Sequence, residues 1–424
     1  MKVAVIGSGG REHALALKIS ESEMLKKLYI IPGNPGTAQI GENVNLDINN
    51  NAEILNFCNE KEIDLVVIGP EQQLVNGLAD ELRANDILVF GPDSAASEIE
   101  AHKTFAKNLM ISAGVPTAKY IEFNLSMYDK ANDFIKQKKY PCVIKADGLA
   151  AGKGVVICNN AEEAEAALKS FFIDRIFGKS GDKILIEEFL EGEEVSVFAI
   201  SDGNNFICLP ASQDHKRIGD NDTGKNTGGM GAYAPAPVVT TQLLNEISIK
   251  IIAPTLQALK AESKPFIGCL YAGLILTSDG VKVIEFNCRF GDPETQAVLP
   301  LLKGDFLKLL YSAAEGNLDK DSIQYNAGSA VCVVAASLGY PGQYQKGLEI
   351  FGLDEIPEST IVFHAGTKED NGKILTNGGR VLAVTSVLEE NDLQKAKKLA
   401  YEALDKIHFT NMYYRRDIAD KAIK

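Results

Sequence analysis

Three absences bound what this chain can be. It has no basic excess: 43 Lys and Arg stand against 57 Asp and Glu, a formal net charge of −14. Broad nucleic-acid binding needs a positive footprint, so this balance argues against it, while a basic pocket inside an acidic shell still admits an anionic substrate. It has no apolar run of the ~18–20 residues that cross a bilayer. It enters a strand at Lys2 without a leader of the secretory kind, and a cytoplasmic protein with no membrane partner is expected. It also has no CxxC pair. Cys58, Cys142, Cys158, Cys208, Cys269, Cys288 and Cys332 are scattered, several in apolar strand-like runs, which predicts reduced, buried thiols and no zinc site. None of the five histidines has a partner at metal-ligand spacing.

What is present begins with alternation. At ~100–200 residues per domain, 424 residues make two to four domains. Over the first hundred, strands are expected at Lys2–Ile6, Lys27–Ile31, Asp64–Ile68 and Leu88–Phe90. Helices are expected at Glu12–Ser20, Ala52–Lys61 and Val75–Asn85. Strand-helix alternation of this kind predicts a doubly wound parallel sheet, whose ligands bind beyond the carboxyl ends of the strands. Those ends carry Gly7–Glu12, Pro32–Thr37, Gly69-Pro70-Glu71 and Gly91-Pro92. One helix is expected over 94–113, then an α+β region, then short β segments from about Ala327 and a final helix at Asn391–Lys406.

The first turn, Gly7-Ser-Gly9-Gly10-Arg11-Glu12, lacks the third glycine of a dinucleotide fingerprint, and no acid ends the second strand. Both tests of a nicotinamide site therefore fail. A single phosphate at the helix N-terminus, with Arg11 as a bidentate partner, remains. A second glycine loop lies in "KADGLAAGKGV", with Gly148, Gly152, Gly154, Lys145 and Lys153. No Gly-Lys-Ser/Thr opens a helix there, so a β-hairpin flap over a triphosphate fits better than a Walker loop. In "ILIEEFLEGEEVSV", the connector after Glu187 presents backbone to a base edge, and Glu194 is an acid for ribose hydroxyls. In "KVIEFNCRFGDPETQ", Glu285 and Asn287 share one strand face, a pair of oxygen ligands suited to Mg²⁺, and Arg289 continues that face. The polar stretch Asp214–Gly231 is long enough to be a functional loop. Asp214, Lys216 and Asp222 are its candidate side chains, and its glycines are placed to offer N–H groups to an anion.

Together these motifs resemble the ATP-grasp fold, whose first lysine is matched by Lys103. "VIGSGGREHALA", "PGNPGT", "GPEQQLVNGLAD", "QDHKRIGDNDTGKNTGGMGAYAPAP", "ASLGYPG" and "HAGT" resemble one family within it, the phosphoribosylamine–glycine ligases, over nearly the whole chain. The resemblance implies an α/β chain in three parts. Residues 1–103 form a doubly wound domain that binds phosphoribosylamine. Residues 104–326 form the ATP-grasp domain, with a flap subdomain at about 123–192. Residues 327–424 form a small C-terminal α/β domain. It implies ATP as cosubstrate with Mg²⁺ or Mn²⁺, and glycine and 5-phosphoribosylamine as substrates; separately, no long heptad or large apolar helix face suggests an obligate oligomer, so a monomer is expected. ATP falls to Lys103, Lys145, Gly148, Gly152, Lys153, Gly154, Glu187, Phe189, Leu190 and Glu194, and the metal to Glu285 and Asn287. The substrates fall to Gly9, Gly10, Arg11, Glu12, Asn34, Gly36, Thr37, Glu71, Gly229, Met230, Gly231 and Arg289. Catalysis falls to Lys145, Asp214, Lys216 and Arg289. Other carboxylate–amine ligases or carboxylases of the same fold, and a silent nucleotide-binding regulator, remain alternatives.

Overall fold

The computed structural model describes residues 1–150, 154–325 and 327–423. The expected parallel sheet is present, with strand order Glu42–Asn43, Lys27–Pro32, Lys2–Gly7, Leu65–Ile68, Leu88–Phe90. Val3 and Val5 pack into one core while Ala4 and Ile6 pack into another, so both faces are covered and the strands read as unbroken apolar runs. The edge strand Glu42–Asn43 was not expected; two polar residues carry no periodic signal.

Two expected helices are each divided. Val75–Asn85 is instead Glu71–Val75 and Leu78–Arg83, because Gly77 adopts φ +79° between them. The helix expected over 94–113 breaks at an extended His102 into Ser94–Ala101 and Lys103–Ser112. Asp147 makes the break, by accepting the Thr104 N–H at Oδ1 (2.7 Å) and the Lys103 N–H at its carbonyl (3.1 Å). Lys103 thereby sits on the first turn of a helix that opens beside the second glycine loop.

A four-stranded antiparallel sheet (Phe206–Cys208, Glu193–Asp202, Ile267–Thr277, Gly280–Asn287) carries the metal-ligand candidates. A second (Tyr120–Asn124, Lys183–Glu188, Cys142–Ala146, Val155–Cys158) has its own core around Phe123, Phe171 and Phe172, separate from the two large clusters. The third sheet is C-terminal, yet the short strands Gln213–Asp214 and Gly231–Ala234 belong to it, the latter paired with Ser329–Ser337. The segment read as an open loop is thus a hairpin, Arg217–Gly219 against Thr223–Asn226, rooted in the C-terminal sheet. The final helix spans Leu393–Leu404. All seven cysteines are free, and all but Cys208 are buried. No helix among the described residues is long and apolar enough to cross a membrane.

Candidate active site

One cleft of about 870 Å³ runs between the antiparallel sheets and the carboxyl end of the parallel sheet. At its inner end, strand residue Lys145 and helix residue Lys107 converge on Glu187 Oε2, at 2.9 and 3.2 Å, with all three side chains buried. Burial pulls the Lys107 ammonium down to about 8, against the pull of Glu187. Glu187 Oε1 is buried and has no partner among the described residues. Lys107 escaped the sequence reading; its signal is the i,i+4 spacing from Lys103, which puts both on one helix face. Lys103 donates to the Gly148 carbonyl (3.1 Å) and is lowered by burial, with Glu285 opposing.

The glycine loop is described only in part, since Gly152 and Lys153 lie outside the described residues. Its strands pair as expected, Lys145 opposite Val155. The Gly148 N–H is taken by the Ser180 carbonyl (3.1 Å), and the Gly154 carbonyl by the Ala146 N–H (2.8 Å). Gly148 and Gly154 thus brace the hairpin with these groups. Phe189, Leu190 and Glu194 line the cleft.

Further along, Glu285 and Asn287 do share a strand face, opposite Gly273 and Tyr271. A Cβ at Gly273 would lie 3.2 Å from Glu285 Cγ, so the neighbouring strand offers room instead of a second acid. Burial pushes the Glu285 carboxyl up, but Lys216, Lys145, Lys103 and Arg289 together hold it below its usual value. With its amide turned so that the nitrogen faces the neighbouring acceptors, Asn287 donates to Phe286 O (3.1 Å) and Glu100 Oε1 (3.2 Å). No group of three or more His, Cys, Asp or Glu is arranged for a metal among the described residues. Two oxygen donors with the remainder from phosphate and water suit a hard cation. Lys216 lies between Glu194 (3.0 Å) and Glu285 (3.8 Å). Burial pushes the adjacent Asp214 up to about 7; Lys216 opposes this, and Glu294, Glu194 and Glu285 add to it.

At the outer end stands the first glycine turn, and its missing third glycine has an explanation. The Glu12 carboxylate folds back into a cradle walled by glycines: added Cβ atoms at Gly7, Gly9 and Gly69 would lie 2.5, 2.8 and 2.2 Å from its atoms. Glu12 Oε2 accepts the Gly9 N–H (2.7 Å), and Oε1 accepts Arg11 Nε. The turn therefore binds an anion of its own. Arg11 Nη1 donates to Phe290 O (3.1 Å), and the Arg11 N–H faces Asp292 Oδ2 at 3.4 Å. Arg289 is fully engaged: Nε with Glu71, Nη2 with Glu100, Nη1 with Phe290 O. Burial opposes ionisation of Glu71, yet Arg289 and Arg11 hold it down at about 2.

Several residues expected to contact substrate make internal hydrogen bonds. Asn34 donates to Ser8 O and His364 O and accepts from the N–H groups of Gly36 and Thr37. Thr37 is fully buried against Asn34 and Asn43, and a Cβ at Gly36 would strike His13. These three form the floor that ties the parallel sheet to the C-terminal strand. Asp222 is held by Arg415 (2.9 Å) and Lys421 (2.5 Å). The N–H groups of Gly229 and Met230 go to Thr227 Oγ1 and His215 O, and Gly231 pairs in the sheet, so the expected anion nest is closed from within. The reading also missed Glu100, Tyr340 and Arg380, which line the cleft with Asp292. Glu100 and Arg380 come from distant elements with no local motif.

Three family descriptions match consecutive stretches of the chain: phosphoribosylglycinamide synthetase N domain (residues 1–100), ATP-grasp (A) domain (101–295) and C domain (330–421). A phosphoribosylamine–glycine ligase of Synechocystis sp. is 49% identical over 428 residues, covering all of both chains. The crystal structure of phosphoribosylamine–glycine ligase from Thermotoga maritima matches with TM-score 0.85 at 34% identity, over 99% of this chain and 100% of that one. The biotin carboxylase domain of the Hydrogenobacter thermophilus 2-oxoglutarate carboxylase, solved with MgADP, shares the fold alone, with TM-score 0.71 at 18% identity over 100% of this chain and 97% of that one. On this likeness of sequence, order of parts and fold, the chain belongs to the phosphoribosylglycinamide synthetase family.

Proposed function

We propose that this chain joins glycine to 5-phosphoribosylamine at the expense of ATP, giving glycinamide ribonucleotide, ADP and phosphate, a step of purine biosynthesis. The observation that carries the reading is the sequence of chemistries along one cleft. A lysine–glutamate nucleotide end comes first, then the Glu285–Asn287 face, then the Glu12–Arg11–Glu71 turn. ATP lies against Lys103, Lys145, Glu187 and the Phe189–Leu190 connector, and Glu194 faces its ribose. The unpartnered Glu187 Oε1 supplies a buried acceptor for a base amine. Glu71 offers a carboxylate to the ribose hydroxyls of phosphoribosylamine, and Glu12 braces Arg11 beside it. Residues 1–103, 104–326 (flap about 123–192) and 327–424 act as three working parts of a monomer that needs neither nucleic acid nor membrane.

Glycine's carboxylate is a poor electrophile. Its oxygen takes the γ-phosphoryl group, the bond to the β-phosphate oxygen breaks, and ADP leaves. The amine of phosphoribosylamine then attacks the acyl carbon of glycyl phosphate, expelling phosphate and losing a proton. Catalysis of such transfers is mainly positioning and charge neutralisation. Lys103, Lys145 and Lys216 neutralise the transferring group. Asp214, ionised above about pH 7, takes the proton from the amine. Arg289, locked by Glu71 and Glu100, holds the end of the Glu285 strand against the first turn. Mg²⁺ or Mn²⁺, held by Glu285 and Asn287, would supply charge to the phosphates. The test is phosphate release by purified protein with ATP and Mg²⁺. Release that needs glycine and fresh phosphoribosylamine together, with glycinamide ribonucleotide as product, is expected. Release with glycine alone at the full rate would keep the carboxylate chemistry and discard the acceptor.

A further inference from the structure

The arginines of the cleft are not equally occupied. Each of the three Arg289 nitrogens has an acceptor. Arg380, the first residue of strand Arg380–Leu388 in the C-terminal sheet, uses one nitrogen only. Its Nη1 donates to the carbonyls of Gly228 (2.6 Å), Asp292 (2.7 Å) and Gly229 (3.4 Å), and lies 3.3 Å from Asp292 Oδ1. Its Nε and Nη2 have no acceptor among the described residues. The side chain is 22% exposed and forms part of the cleft wall.

The anchoring is tight. A Cβ at Gly228 would lie 3.0 Å from Arg380 Cζ, and Tyr340 Oη accepts the Gly228 N–H from the other side (2.9 Å). A planar guanidinium fixed along one edge by carbonyls has its other edge pre-set, and that geometry matches two oxygens of one anion. The nearest carboxylate does not fill the role. Asp292 is shared with the Arg11 N–H at Oδ2 and the Gln296 amide at Oδ1. The Arg11 backbone N–H from the first turn and the Arg380 guanidinium from the last sheet thus meet on one carboxylate.

We propose that the free edge of Arg380 binds an oxyanion of a non-nucleotide substrate, the carboxylate of glycine or the 5-phosphate of phosphoribosylamine. This rests on the ligase reading. Losing a forked, charge-assisted contact raises a KM by roughly 10–100-fold. Arg380→Gln keeps an N–H for the Gly228 and Asp292 carbonyls while removing the charge, and Arg380→Lys keeps charge without the fork. Kinetics with each substrate varied in turn should show one KM rising tenfold or more, with the KM for ATP within twofold. A rise for glycine assigns the carboxylate; a rise for phosphoribosylamine assigns the phosphate. Added guanidinium should restore part of the loss in Arg380→Ala. A fall in kcat with all three KM values unchanged, or all three rising together with a lowered Tm, would make Arg380 only a strut for Gly228 and overturn the proposal. Should the wild type form no glycinamide ribonucleotide, the ligase reading fails by itself. Calorimetric titration with glycine and with inorganic phosphate then decides the oxyanion site: weaker binding to Arg380→Gln upholds it, and equal binding overturns it.

Discussion

The chain has two glycine turns at strand ends, and they do opposite work. In the first, glycines at positions 7, 9 and 69 make room for a side chain of the protein itself, the Glu12 carboxylate. In the second, Gly148 and Gly154 let a hairpin fold tightly beside Lys145, whose ammonium faces the cleft with Glu187. A glycine pattern therefore reports that something approaches the backbone closely, and the residue in the third position says what. Glycine there lets the helix pack closely on the strand; glutamate instead fills the turn with its own carboxylate.

The largest effect should come from the charged face between the two turns. Glu285→Gln removes charge with little change of shape, so activity should fall by about 10²–10³ while Tm stays within a few degrees. Loss of the fold, or full activity, would take Glu285 out of the metal role. Next, Gly69→Ala drives a methyl to 2.2 Å from Glu12 Oε1. Overpacking of this kind costs about 1–3 kcal/mol, and denaturant unfolding should show it. If stability is unchanged, the glycine cradle is not what seats Glu12. Arg11→Ala should then raise the KM for phosphoribosylamine by about tenfold and leave that for ATP alone. An unchanged KM would confine Arg11 to bracing Glu12 and Phe290.

The parallel sheet and the strand-end ligands were legible because each depends on local pattern: apolar runs, alternation, and the two-residue spacing of Glu285 and Asn287. The helix break at His102 was not, because its cause is Asp147, 45 residues away in sequence. The hairpin within 214–231 was hidden for the same reason. Its polar glycine-rich composition reads as loop, and its order comes from Ser329–Ser337 and from the Arg415–Asp222 pair contributed by the far end of the chain. Asn34 and Thr37 illustrate the converse. Turn residues at a ligand-facing strand end read as ligand contacts, yet here they close their own hydrogen bonds. Whether a polar side chain is spent internally is decided by tertiary partners that sequence spacing does not reveal.

The smallest predicted effect tests the floor beneath the first turn. His13 Nδ1 accepts the His364 N–H at 2.9 Å, so it carries no proton on that nitrogen. Burial, with the neighbouring His364, holds His13 down at about 3, and burial holds His364 at about 4. Both folded values lie below the unfolded ~6.5. The stability this represents is fully present above pH 6.5 and is lost as pH falls toward the folded values, because the unfolded chain takes up protons first. His13→Asn keeps an acceptor for the His364 N–H and does not titrate. Between pH 6.5 and 5.5 the wild type should therefore lose about 1 kcal/mol more than the variant, measured by urea unfolding at each pH. Parallel curves would mean that His13 takes up its proton in the folded chain near the ordinary histidine value, giving up the His364 N–H, and that the floor joining the first turn to the C-terminal strand opens more readily than its burial implies.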